Sequence, residues 1–161
     1  MQPILLATDG SPTAAHATRT AIEYAKVFGA PLLIVSVWDV TYEPIGVAYG
    51  PILPDIDHVG RKQAQKVVDD AATEARREGV EIEALICRGT PAERICTIAE
   101  EYDARLIVVG SHGWGPLKRA LFGSVSTGVL HHAKRPVLVV RGHAAAPRKV
   151  LSDRTKLSLV T

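Results

Sequence analysis

Five short apolar runs, spaced so that a helix fits in each gap, constrain this chain more than any other feature. They occupy residues 3–8 (PILLAT), 31–38 (PLLIVSVW), 80–89 (VEIEALICRG), 106–109 (LIVV) and 136–140 (PVLVV). Runs of this kind, bounded by Gly, Pro, Asp and Ser, read as buried strands. The third run alternates through Val80, Ile82, Ala84 and Ile86, which suits a sheet edge. The gaps carry helix signals. Ser11 is a good N-cap and Pro12 suits the first helical position. Ala15, Ala21, Ile22, Ala25 and Val27 then form a stripe that runs to Gly29. Residues 57–79 read as a polar helix with Val59, Ala64, Val67, Val68, Ala71, Ala72 and Ala75 facing inward. Thr90 caps a helix over 90–102, with Pro91 at its first position and Glu93 at the capping-box position. A last helix spans 125–132.

The order βαβαβαβαβ predicts an α/β fold: one domain, a five-stranded parallel sheet and helices on both faces. Right-handed crossovers and a strand order of 3-2-1-4-5 follow from this pattern. A ligand in such a sheet sits beyond the carboxyl ends of the strands, where the winding direction reverses. Here that point lies between the first and fourth strands. Residues 39–55 hold Pro44, Gly46, Gly50, Pro51 and Pro54, and form a loop long enough to carry function.

The overall balance removes several function classes. The 161 residues suit one domain, and 47% hydrophobic with 22% charged is ordinary for a globular chain. A net charge of +2 gives no broad face for nucleic acid. No apolar run approaches the ~20 residues that cross a membrane. The opening MQPILLATDGS does not read as a secretory signal. Cys87 and Cys96 form no CxxC pair and read as buried free thiols, as in a reducing cytoplasm.

Two distant segments meet at the predicted crevice: Asp9-Gly10-Ser11 after the first strand, and GSHGWGPLKRALFGS, residues 110–124, after the fourth. The second segment holds four glycines, and Gly123-Ser124-Val125-Ser126 leads into the last helix. Glycines allow close backbone approach, and a helix start presents unpaired N–H groups to an anion. The amides of Ser124 to Ser126, with the two serine hydroxyls, are placed to hold phosphates. Gly113 and Gly115 let the loop fold over, while Lys118 and Arg119 either attract the anion or face solvent. The segment is neither a Walker A loop nor the first-strand GxGxxG fingerprint.

The spacing Gly110-x2-Gly113-x9-Gly123-Ser124 resembles the ATP-binding signature of the universal stress protein family. ILLATDGSPTA, IVSVWD, RGTPAERI, LIVVGSHG and GSVSTGVLHHAKRPVLVVR agree with it, so the resemblance spans about residues 2–141. It implies a Rossmann-like domain over 1–141, of the adenine nucleotide α-hydrolase-like kind, followed by an extension over 142–161. It also implies bound ATP, with Mg²⁺ or Mn²⁺. By position, Ala7, Thr8 and Asp9 would lie beside the adenosine, and Val37 would meet the adenine through its backbone. Val109 and Gly110 would lie along the ribose. His112, Gly113, Gly123, Ser124, Val125 and Ser126 would touch phosphates. Asp9 would bond a ribose hydroxyl or the adenine side, or help order the metal through water. Trp114 and Pro116 depart from the smaller or more basic residues expected in the loop. The resemblance further implies a homodimer paired through residues 136–140.

No Ser-His-Asp or Cys-His order is visible, and TDGSPTA stands where related pyrophosphatase domains carry SGGxDS. The reading is an ATP-binding regulatory dimer of the cytoplasm, with a signalling partner still to be named and little or no turnover. Two alternatives stand beside it. One is a slow ATPase or autophosphorylating enzyme acting at Ser124, Ser126 or Thr127. The other is a nucleotide-free dimeric interaction module.

Overall fold

The computed structural model describes residues 1–39, 55–112 and 122–142, with side chains from 57 onward in the second of these segments. Strands β1 (Ile4–Ala7), β2 (Leu32–Trp38), β3 (Ile82–Arg88), β4 (Leu106–Gly110) and β5 (Val137–Val140) alternate with helices α1 (Pro12–Phe28), α2 (Asp55–Arg77), α3 (Pro91–Glu101) and α4 (Ser124–His132). The strands form one parallel sheet in the order β3-β2-β1-β4-β5, as predicted. β1 is central: Ile4 to Ala7 pair with Leu32 to Val35 on one side and Leu106 to Val109 on the other.

A sheet buried on both faces makes two cores, because successive side chains point to opposite sides. Ile4, Leu6, Leu32, Ile34 and Val108 pack with α1 and α2. Leu5, Leu33, Val35, Ile107 and Val109 pack with α3 and α4. Ser11 caps α1, its Oγ accepting the Ala14 N–H at 3.2 Å, and Gly29 closes the helix in the left-handed conformation at φ 60°.

Several expectations inside the elements need correction. The buried face of α1 is Ala14, Ala17, Thr18, Ala21, Ile22 and Ala25. Ala15 and Val27 lie off that stripe and face solvent, Val27 at 80% exposure. α2 buries Ala64, Val67, Val68, Ala71, Ala72 and Ala75, but Val59 is exposed. Position 60 takes the inward place instead, where Gly60 faces the Trp38 ring. In β3, Ile82 and Ile86 pack inward while Ala84 is exposed, and Leu85 and Cys87 reach the opposite core. Cys87 is therefore half-buried, and only Cys96 is buried. Thr90 stands at the N-cap of α3, but its side chain makes no cap bond, so the capping box does not form. Pro91, with φ fixed near the helical value, begins the helix without it. The 40–54 segment, most of the glycine loop and residues 143–161 lie outside the described residues.

Candidate functional site

The carboxyl ends of β1, β2 and β4 meet the starts of α1, α3 and α4 around a cavity of about 320 Å³. That is within the ~300–1,000 Å³ common for small-molecule sites. The wall has two chemistries. Ala7, Val35, Val37, Pro91, Ile95 and Val109 make an apolar slot, while Thr8, Asp9, Gly110, His112 and residues 123–126 form a polar end.

Each polar residue is positioned by local geometry. Gly10 takes φ +73°, and a Cβ there would meet Val67 Cγ2 at 2.8 Å. Only glycine makes that turn without strain. The turn aims Asp9 back at the start of α1, where its Oδ1 accepts the Ser11 N–H at 2.9 Å. Gly110 is required by close approach: a Cβ there would lie 3.2 Å from Ala14 N and 3.3 Å from Thr13 C. Beyond it, Ser111 donates its N–H to the Val140 carbonyl at 2.8 Å, which carries the sheet pairing past β4. Ser111 Oγ lies 3.1 Å from His112 Nδ1. Ser11 Oγ reaches the His112 carbonyl at 3.4 Å.

The start of α4 completes the polar end. Gly123 is its N-cap at φ −74°, ψ 170°, and offers no side-chain cap. The first N–H groups of a helix have no acceptor within it, and they carry the positive end of its dipole. Gly123 N–H donates to the Ser111 carbonyl at 2.6 Å, which places this helix start against the end of β4. Ser126 is 2% exposed, and its Oγ lies 3.1 Å from the Ser111 carbonyl oxygen and 3.0 Å from that of Gly123. Ser124 is exposed. The arrangement can hold an elongated ligand with an apolar, planar end and an anionic end. Among the described residues, no group of three or more His, Cys, Asp or Glu side chains is placed to hold a metal ion.

Eleven of the twelve site residues expected from sequence line this one cavity: Ala7, Thr8, Asp9, Val37, Val109, Gly110, His112, Gly123, Ser124, Val125 and Ser126. The twelfth, Gly113, lies outside the described residues, as do Trp114, Gly115, Pro116, Lys118 and Arg119. The sequence reading missed Ala14, Val35, Pro91 and Ile95. Val35 was accessible to it, because a residue two before Val37 shares its face of the strand. Pro91 and Ile95 were not, since their place depends on which face α3 covers.

Over residues 1–141 the chain matches the model of the Universal stress protein family. The chain belongs to the universal stress protein family. Universal stress protein YxiE of Bacillus subtilis is 35% identical over 144 residues, covering 86% of this chain and 97% of its own. A universal stress protein from Archaeoglobus fulgidus, solved in complex with dAMP, superimposes with a TM-score of 0.65 at 28% identity, covering 87% of this chain and 98% of that one. Another universal stress protein, solved in complex with cAMP, has a TM-score of 0.65 at 28% identity, over 86% and 96% of the two chains. In this universal stress protein, the fold is therefore one shared with solved relatives of the family.

Proposed function

We propose that this chain binds ATP, with Mg²⁺ or Mn²⁺, in the cavity between β1 and β4, and acts as a nucleotide-dependent regulatory protein of the stress response with little or no turnover. The observation that carries the reading is the division of one cavity into an apolar slot and a helix start free of a side-chain cap. Adenine suits the slot of Val35, Val37, Pro91, Ile95 and Val109, while phosphates suit the amides of residues 124–126. Adenine nucleotides in two related universal stress proteins support the ligand class. The residues fit a metal–nucleotide complex of a limited kind. Among the described residues the cavity offers one carboxylate, Asp9, so the phosphates and water would supply most of the metal's oxygens. Gly113 joins the phosphate contacts in this reading.

The protein is a homodimer in this reading, paired through residues 136–140. β5 is an edge strand of four apolar residues, each half-buried. The opposite edge, β3, exposes Glu83 and Arg88, charges that discourage pairing. Sedimentation should give twice the 17.3 kDa chain mass; a monomer at micromolar concentration removes the dimer. We place the protein in the cytoplasm, consistent with its two free thiols. Among the described residues, no helix is long and apolar enough to cross a membrane. The signalling partner is a second macromolecule, read through the nucleotide state.

Nucleotide released from freshly purified, denatured protein tests the ligand. Near-stoichiometric ATP supports tight binding with poor turnover. ADP or AMP moves the reading to a slow ATPase. No nucleotide, together with no calorimetric response to ATP and Mg²⁺, removes the nucleotide assignment.

A further inference from the structure

We infer that Ser126 serves the nucleotide site as a positioning residue: its hydroxyl staples the start of α4 to the end of β4, and only its amide faces the ligand. The inference rests on the nucleotide reading above and divides the labour between two serines of one helix turn.

The hydroxyl has one proton. Two carbonyl oxygens already compete for it, Ser111 at 3.1 Å and Gly123 at 3.0 Å. The residue is 2% exposed. A phosphate oxygen needs a donor, and from Ser126 Oγ it would meet lone pairs instead. The same two carbonyls bind the helix start in other ways. Ser111 also accepts the Gly123 N–H at 2.6 Å, and Gly123 accepts the Thr127 N–H at 3.0 Å. Ser126 therefore closes a small ring that runs from the Ser111 carbonyl through Gly123 and back through its own hydroxyl. This ring fixes the direction in which the amides of Ser124 and Val125 point. Ser124, exposed at the cavity wall, is the serine whose hydroxyl is available to the anion.

The ring reaches the other helix start as well. The residue after Ser111 accepts a hydrogen bond at its carbonyl from Ser11 Oγ, the group that caps α1. The end of β4 thus locates both helix starts that border the polar end of the cavity.

The test uses the full chain as wild type, Ser126→Ala, Ser126→Thr and Ser124→Ala. Thermal melting first verifies that each variant folds. Amide hydrogen exchange is followed in nucleotide-free protein, and calorimetry measures adenosine, AMP and ATP with Mg²⁺. Loss of one buried hydrogen bond corresponds to about a five- to tenfold effect. In Ser126→Ala, exchange at Gly123 and Thr127 should rise by about that factor without ligand. AMP and ATP affinity should fall by a similar factor, while adenosine binding is unchanged. Ser126→Thr keeps the hydroxyl and should restore both readouts. Ser124→Ala should weaken AMP and ATP with no change in exchange.

Weaker nucleotide binding by Ser126→Ala with unaltered exchange would make the hydroxyl a direct ligand and overturn the inference. Faster exchange with unaltered affinity would make the ring merely structural and overturn it too. Failure of the wild type to bind any of the three probes would instead overturn the nucleotide reading, and this inference with it.

Discussion

Gly10 and Gly110 show why single positions decide this site. One needs glycine for its positive φ and for the space that Val67 occupies; the other needs it because β4 passes against the backbone that opens α1. Gly110→Ala should cost about 1–3 kcal/mol, since the atoms in the way are backbone and cannot rotate aside. Urea unfolding would measure that loss, and calorimetry would register a weaker ligand because the cavity wall shifts. The two thiols differ in the same local way. Burial pushes the Cys96 thiol above its ordinary range, with the Glu100 charge adding to the effect. Cys96 should resist alkylation in the native protein and react only on unfolding, whereas half-buried Cys87 should react sooner. Mass spectrometry of partially alkylated protein would check the order. Both cysteines read as buried from sequence, because the pattern around Cys87 is apolar; its place on an edge strand is what leaves it partly open.

At the scale of elements, the helix pair on one face sets the shape of the crevice. α3 supplies Pro91 and Ile95 to the apolar slot, and α4 supplies its first turn to the polar end. They touch where Gly128 meets Ala92: a Cβ on Gly128 would lie 2.6 Å from the Ala92 methyl. Gly128→Ala gains up to about 1 kcal/mol in helix propensity, but overpacking at that contact costs about 1–3 kcal/mol. The net effect should be a lower melting temperature, by about 2–4 °C for each kcal/mol lost. A Gly128→Ala protein that melts higher than wild type would show that the two helices separate freely. The existence and order of the elements were legible because apolar runs, Pro at helix starts and Gly after helix ends all agree. The helix faces were less so. Ala15, Val27 and Val59 are apolar, yet the face that packs is fixed by the sheet beneath it, not by side-chain type.

At the scale of the whole molecule, pH tests how the end of the sheet far from the cavity is tied together. Asp103, at φ 50°, accepts from Gln2 at 2.7 Å and pairs with Arg135 at 2.6 Å, so it joins the N-terminus to the segment before β5. The Gln2 hydrogen bond, followed by that of Arg135, holds the Asp103 carboxyl below its ordinary range. The Lys26 hydrogen bond and charge do the same for Glu78. Each depressed carboxylate contributes stability that is present above its unfolded-state pKa and is lost as pH falls through its lower folded-state value. Denaturation midpoints should therefore drop on the acid side of the carboxylate range and stay level near neutrality. Asp103→Asn should flatten that acid limb, because asparagine tolerates the left-handed backbone and does not titrate there. An unchanged limb in Asp103→Asn would show that Asp103 is not among the groups responsible. Both groups are exposed, so salt should reduce the effect.

The sequence by itself determined the sheet, its strand order and the crevice at its centre. Those follow from local signals repeated along the chain: apolar runs of strand length, caps and glycines, and the rule that a parallel sheet switches direction at one place. It also marked the residues that follow β1 and β4, because turn chemistry announces them. Only the tertiary structure decided which helix faces are buried, that Pro91 and Ile95 complete the apolar slot, and that the Ser126 hydroxyl turns inward to the Ser111 carbonyl. Those facts depend on distances between segments far apart in the chain. Side-chain type and spacing carry no measure of such distances until the sheet brings the segments together.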